Sequence, residues 1–379
     1  DHQFSRARSR PHRPMTPADL AQAELAAQAF SPGGRLVGVE PLSRGHIHDT
    51  FVSSWDLGVH GRQRLLHQRM NDAVFQDIPG LMHNIRRVTR ELRRGSWRAG
   101  DRELEVLQLV PTVGGESWAE LNTGSWRTFR FVEDTQSYDR CLGPDQAFDA
   151  AAAFGNFQAR LFDLDARGLV ETIPEFFSPS HRFRQFMTAL REDRCGRAAA
   201  VAEEVRFVLD RRHLMHVIET GIQQGRIPVR VIHGDTKLNN VLFDRASGVA
   251  RCIVDLDTCM PGWPLYDFGD LVRFTAATSE EDEQDLSLAG VDLDLYEALS
   301  AGWLETTGRF MNADELELMP LAAQIVTLTV GVRFLTDHLA GDTYFKIHRE
   351  GHNLDRARVQ LRMVRDMERS ATRTSEAAL

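Results

Sequence analysis

Ile232-His233-Gly234-Asp235-Thr236-Lys237-Leu238-Asn239-Asn240-Val241-Leu242-Phe243 is the densest polar cluster in the chain. The runs 229–233 and 250–256 read as short apolar strands to either side, so a polar loop is held between two buried strands. Asp255 stands fifteen residues after Asn240, in Ile253-Val254-Asp255-Leu256-Asp257, and Asp267 follows in Tyr266-Asp267-Phe268. Carboxylate and amide oxygens at strand ends, with no second histidine close by, suit a hard cation such as Mg²⁺. Zinc would call for His or Cys. Mg²⁺ on one or two carboxylates, with its other positions left to phosphates, is the arrangement that phosphoryl transfer uses. That chemistry also wants a carboxylate to accept the attacking hydroxyl's proton, five positions before a metal-binding Asn. Asp235 and Asn240 have that spacing.

Outward from this loop the chain changes character once. Residues 36–140 are β-rich, with apolar and aromatic runs at 36–41, 50–55, 64–70, 104–110 and 126–132. One helix interrupts them. Between Pro79 and Gly95, Leu81, Ile85, Val88 and Leu92 recur at helical spacing, with Pro79 in the first turn and Gly95 as a stop. Beyond Gly143-Pro144, the segments 145–167, 181–193 and 198–224 are long helical patterns, and the chain is helical again from about Leu286. A small β-rich part with one helix, then a larger helical part enclosing a strand–loop–strand, is an α+β layout.

The chain has 379 residues, 42% of them hydrophobic and 26% charged, with a formal net charge of −9. This is ordinary globular composition, and it excludes a disordered, collagen-like or coiled-coil chain. The acidic balance speaks against nucleic acid as a partner. The most apolar stretch, Leu321 to Leu335, is broken by Gln324 and Arg333, so no membrane span is expected. Residues 1–14 carry four arginines and no apolar core, and read as a disordered leader rather than a secretory signal. Four scattered cysteines without a C-x-x-C make no disulfide framework, so a cytoplasmic setting is expected.

His233-Gly234-Asp235 with Asn240, then Asp255, resembles the catalytic loop and metal aspartate of the aminoglycoside phosphotransferase superfamily, whose members have a two-lobed protein-kinase-like fold. Other segments resemble one branch of it, the N-acetylhexosamine 1-kinases. These are Gly45-His46-Ile47-His48-Asp49-Thr50-Phe51, Gln68-Arg69-Met70-Asn71, Arg333-Phe334-Leu335-Thr336-Asp337 and Gly341-Asp342-Thr343-Tyr344-Phe345-Lys346. The resemblance covers about residues 36 to 368. It implies an N-lobe over 15–133 and a C-lobe over 134–379. It also implies ATP as phosphoryl donor, Mg²⁺ as cofactor, and a sugar acceptor phosphorylated at its anomeric hydroxyl. Asp235 would be the catalytic base, Asn240 and Asp255 the Mg²⁺ ligands, and Asp257 a further metal-side group. Asp267 would brace the loop. Gly45 would cover the phosphates, and Phe131 with Glu133 would contact the adenine. Arg333, Tyr344, His48 and Asp337 would meet the sugar.

One departure from that pattern stands out. The third strand, Leu65-Leu66-His67-Gln68-Arg69-Met70, lacks the Lys that holds the α- and β-phosphates in kinase-like folds. Arg69 takes its position, with Glu91 as the expected helix partner. The rival readings are a kinase of another hydroxyl acceptor, a sulfatase-like hydrolase, and a non-catalytic nucleotide-binding scaffold. The hydrolase reading fails at Cys259-Met260-Pro261-Gly262-Trp263, which has Trp where the C-x-P-x-R motif needs Arg.

Overall fold

The computed structural model describes residues 16–42, 47–94 and 104–377. The described chain divides into two compact units. One holds the described residues within 1–94 and 105–135, the other those within 95–104 and 136–379.

The first unit opens with a helix that the strand-dominated pattern does not lead one to expect, α1 (Pro17–Ala29). Its signal is local: Thr16 caps the helix, Pro17 sits in the first turn, and Asp19 completes a reciprocal capping box. Strands β1 (Arg35–Pro41), β2 (Asp49–Asp56), β3 (Arg62–Arg69), β4 (Leu109–Val110), β5 (Ala119–Leu121) and β6 (Gly124–Arg130) follow, with α2 (Ile78–Arg94) after β3. The sheet is antiparallel in the order β1-β2-β3-β6-β4, with β5 also on β6. Ala23 and Ala26 of α1, with Phe30 just after it, pack on Phe51 and Trp126, and Ala27 packs on Trp55 and Leu65, so α1 covers one sheet face. The helix expected from Pro79 is α2, which buries Leu81, Ile85, Val88 and Leu92 as its spacing demands.

β7 (Thr135–Gln136) leads from one unit to the other. The second unit then runs α3 (Pro144–Arg160), α4 (Pro179–Glu192), α5 (Ala202–Asp210), α6 (Val217–Gln223), β8 (Arg230–Ile232), β9 (Val241–Asp244), β10 (Ala250–Ile253), β11 (Met260–Gly262), α7 (Leu265–Thr275), α8 (Leu293–Thr307), α9 (Ala313–Ala340) and α10 (His352–Ala377). The single long helix expected over 198–224 is in fact two short ones joined by 3₁₀ turns. Small residues let α3 and α8 approach closely. A Cβ on Gly302 would stand 2.1 Å from the Phe148 carbonyl oxygen.

α9 is long and apolar enough to cross a membrane by length and composition, but 78% of that stretch is buried within the fold, the pattern of a core helix. Trp126 and Trp263 are core residues, as their apolar settings imply.

Candidate active site

The polar loop between β8 and β9 is held by one buried carboxylate. Asp267, in the first turn of α7, is 1% exposed. It accepts the backbone N–H groups of His233 and Gly234 and the side-chain amide of Gln158, each at 2.8 Å. Burial pushes its carboxyl above the usual carboxylate range, and these donors and His233 pull the other way. The Thr236 hydroxyl closes the brace by donating to the Asp267 carbonyl at 2.6 Å. Gly234 is left-handed at φ +79°, and a Cβ there would fall 2.3 Å from the Phe177 ring and 2.9 Å from the Thr258 carbonyl oxygen. Only glycine fits.

His233 is fully buried. Its Nε2 is 3.0 Å from the Val254 carbonyl, which can only accept, so Nε2 carries the proton. Nδ1 then accepts the Asp235 N–H at 3.3 Å. Both ring nitrogens are spent inside the loop, and the ring is a brace.

Asp235 is thereby fixed at its backbone while its carboxylate stays reachable, 23% exposed. Lys237 Nζ lies 2.8 Å from one carboxylate oxygen. Asn240 Nδ2 donates to the other at 3.2 Å and to the Asp235 carbonyl at 2.8 Å. Burial would raise the Asp235 pKa, but the charge and hydrogen bond of Lys237, with His233 and Arg273, leave it below the usual carboxylate value. Asp235 is therefore ionised at neutral pH and able to accept a proton.

Since the Asn240 amide nitrogen is committed to Asp235, its Oδ1 is the atom left for a cation. The Asn240 carbonyl accepts the Val254 N–H at 3.0 Å, which ties the start of β9 to the residue before Asp255. Asp255 is left-handed at φ 62°, ψ 64°, a conformation that costs a non-glycine residue about 1–2 kcal/mol. Such strain is concentrated at functional positions. Among the described residues no group of three or more His, Cys, Asp or Glu is placed to hold a metal. Asp257 thus does not join Asp235 and Asp255 in a three-acid nest; it is 2% exposed within the 3₁₀ turn after Asp255. One amide oxygen and one carboxylate fit Mg²⁺, which keeps waters and takes the rest of its shell from phosphates.

The other expected site residues distribute unevenly. Asp235 and Lys237 open into a cavity of about 760 Å³ in the second unit, lined also by Tyr266, Asp270, Arg273 and Arg333. That is ample for a small molecule. Tyr344 reaches this region through Arg333, whose guanidinium lies 5.9 Å from its ring, and through Phe345, whose ring centroid is 4.7 Å away.

Asp337 is not a substrate contact. It is 4% exposed, and both oxygens are filled by the N–H groups of Thr343, Tyr344 and Phe345 and by the Asn353 amide at 2.8–2.9 Å. It pins the loop after α9, and it makes no ion pair with Arg333.

In the first unit, Arg69 does not hold the place of the phosphate-binding Lys. Its guanidinium is bound to Asp49 (Nε to Oδ2 2.9 Å), to Gln22 (2.7 Å) and to Asp19 (3.5 Å), on the sheet face that α1 covers. Its expected partner Glu91 pairs with Arg94 instead, at 3.5 Å. The cause is the pleat. Gln68, not Arg69, faces the other side, beside Arg127, which is 2% exposed and donates to Gln68 at 2.9 Å.

His48 accepts the Asn71 N–H at 3.0 Å and lies tilted against the Phe75 ring, centroids 5.7 Å apart, which makes it a local brace. The Phe131 ring carries the Arg64 guanidinium at 4.0 Å, and Arg64 also clamps the Glu133 carboxylate. The Phe131 N–H is also committed, donating to the Arg64 carbonyl at 3.2 Å. Gly45 lies outside the described residues.

A model of the phosphotransferase enzyme family matches residues 56–303. Among solved structures the chain is similar to a microcompartment-associated aminopropanol kinase, with TM-score 0.59 at 16% identity over 94% of this chain and 98% of that one. It is similar also to an aminoglycoside phosphotransferase from Alicyclobacillus acidocaldarius, with TM-score 0.55 at 11% identity over 97% and 100%. A third is the streptomycin–ATP ternary complex of APH(2")-IIa, with TM-score 0.53 at 12% identity over 94% and 99%. The α+β kinase-like fold is shared with all three.

Proposed function

The chain belongs to the phosphotransferase enzyme family, and we propose that it is an ATP- and Mg²⁺-dependent kinase of a sugar, acting on the anomeric hydroxyl. The observation that carries the kinase reading is the loop itself. Asp235 is ionised, its backbone tied to His233 and Asn240 and its carboxylate to Lys237 and Asn240, with an amide oxygen and a strained carboxylate beside it, at the edge of a small-molecule cavity. A solved structure of the same fold holds ATP together with streptomycin, which supports ATP as the donor.

In this reading the acceptor hydroxyl sits against Asp235. Its oxygen bonds to the γ-phosphorus as the bond from that phosphorus to the β,γ-bridging oxygen breaks, its proton passes to Asp235, and ADP leaves. Mg²⁺, held by Asn240 and Asp255, would neutralise charge on the phosphates. Lys237 keeps Asp235 ionised before reaction, and its positive charge stands next to the oxygen that attacks. The anomeric preference, with N-acetylhexosamines first among acceptors, rests on the resemblance of the Arg333 and Tyr344 segments to one branch.

Incubation with ATP, Mg²⁺ and a panel of hexoses, N-acetylhexosamines, aminoalcohols and aminoglycosides, followed by ADP release, tests the reading. Acceptor-dependent ADP with a sugar 1-phosphate product is expected. Turnover only of aminoalcohols or aminoglycosides would replace the sugar assignment.

A further inference from the structure

Among the described residues of the cavity wall, Arg333 has its side-chain contacts with aromatic rings. Its guanidinium lies 5.0, 5.9 and 5.4 Å from the rings of Phe176, Tyr344 and Phe345. No hydrogen bond or ion pair to it exists among the described residues. Its neighbours behave differently. Arg273 is paired with Asp270 at 2.9 Å and Glu281 at 3.3 Å, Arg356 lies 3.7 Å from Glu281, and Lys237 is on Asp235. Aromatic contact offsets part of the cost of removing a guanidinium from water, but it satisfies none of its five N–H donors.

A second arginine reinforces the field. Arg182 of α4 lies 5.8 Å from the same Phe176 ring. It donates to Gln185 and to the Phe176 carbonyl, both neutral, and its Nε is buried without a partner. Burial and the charge of Arg333 lower its pKa to about 10. The nearest acid, Glu175, is occupied by His181 at 2.7 Å and Arg184 at 3.3 Å. Two like charges share one ring, and neither has a carboxylate bound to it. Lys346, also on the cavity wall, has no ion-pair partner among the described residues either. On the Asp235 side of the cavity, by contrast, the charges are matched.

We propose that the phosphoryl acceptor carries an anionic group that docks on Arg333, with Arg182 behind it, while its reacting hydroxyl meets Asp235. This deepens the sugar-kinase reading and rests on it: among the sugars of that reading, the preferred acceptor carries an acid, as an N-acetylhexosamine bearing a carboxylate would. A carboxylate matches the planar guanidinium fork two oxygens to two N–H groups, and a phosphate presents the same edge.

The test compares neutral and acidic forms of one sugar: glucose with glucuronate and glucose 6-phosphate, and N-acetylglucosamine with its 3-O-lactyl ether. For wild type, kcat/KM of at least one acidic form should exceed its neutral parent by tenfold or more, and which acid responds separates carboxylate from phosphate. Arg333→Gln should erase most of that ratio by raising the acceptor KM, with the ATP KM unmoved. Arg333→Lys, which keeps the charge but not the fork, should retain an intermediate ratio and guards against a folding defect. Neutral sugars equal to or better than their acids in wild type would overturn the proposal while leaving the kinase reading intact. A rise in the ATP KM alone for Arg333→Gln would also overturn it, by assigning the arginine to the nucleotide. If no sugar is turned over, the sugar reading fails separately, and calorimetric titration of the same pairs still decides the question. Tighter binding of an acid that Arg333→Gln abolishes supports the anionic subsite, and equal binding removes it.

Discussion

The side-chain amide of Asn240 donates to Asp235 twice, to its backbone carbonyl at 2.8 Å and to its carboxylate at 3.2 Å. The residue expected to bind metal therefore also aims the base. Asn240→Asp keeps an oxygen for Mg²⁺ but replaces the donor with a like charge beside Asp235. We expect kcat to fall by roughly a hundredfold or more, with a thermal midpoint close to wild type. Asp235→Asn should remove nearly all turnover while nucleotide binding, read by fluorescence titration, persists. Retention of more than a few per cent of kcat would remove Asp235 from its role.

The Asp267 brace predicts a loss of both fold and rate. Asp267→Ala leaves two buried backbone N–H groups unpaired and takes from the Gln158 amide one of its two acceptors. It should cost about 3 kcal/mol or more, read from urea denaturation. Gly234→Ala should be of similar severity, because its Cβ meets a backbone carbonyl at 2.9 Å that cannot move aside as a side chain can. A Gly234→Ala protein of wild-type stability and rate would show that the loop is looser than its contacts imply.

Arg69 is predicted to be a stability residue. Arg69→Ala strands Asp19, which is 2% exposed, and Asp49 without their cation, so a loss of about 3 kcal/mol is expected. The ATP KM of the folded fraction should stay within about threefold of wild type. A tenfold rise in ATP KM at unchanged stability would return Arg69 to the phosphates.

Asp337 separates from Arg333 in the same way. Asp337→Ala releases three backbone N–H groups of the segment 343–345 and should lower the thermal midpoint by several degrees. Arg333→Gln should leave the midpoint near wild type and alter acceptor kinetics. Matching midpoints for the two variants would contradict this division.

His67 makes the first unit sensitive to acid. It is buried between the hydroxyls of Ser53 and Thr128, each 2.7 Å from a ring nitrogen, and burial lowers its pKa from 6.5 to about 4. Between those values the unfolded chain binds the proton and the folded chain does not, so stability is whole above about pH 6.5 and is lost as pH falls toward 4. The loss is on the order of 3 kcal/mol at most. Urea midpoints at pH 7.5 and 5 should differ more for wild type than for His67→Gln; an equal difference would exclude His67 as the cause.

The local chemistry of this protein was determined by its sequence. The spacing of Asp235, Asn240 and Asp255 is a matter of neighbours along one strand–loop–strand, and helical and strand periodicity report burial within a single element. The family and the α+β class follow from such short-range signals. Tertiary structure alone decided which side chains were free to act. Arg69 and Asp337 carry the charges that a site would want, yet α1 brings Asp19 and Gln22 to the one, and the turn after α9 brings three N–H groups to the other. Arg333 is the converse case: its three aromatic neighbours come from positions 176, 344 and 345, and none of them is an acid. A charged residue's role depends on what partner reaches it across the fold, and that distance is not written in its own segment.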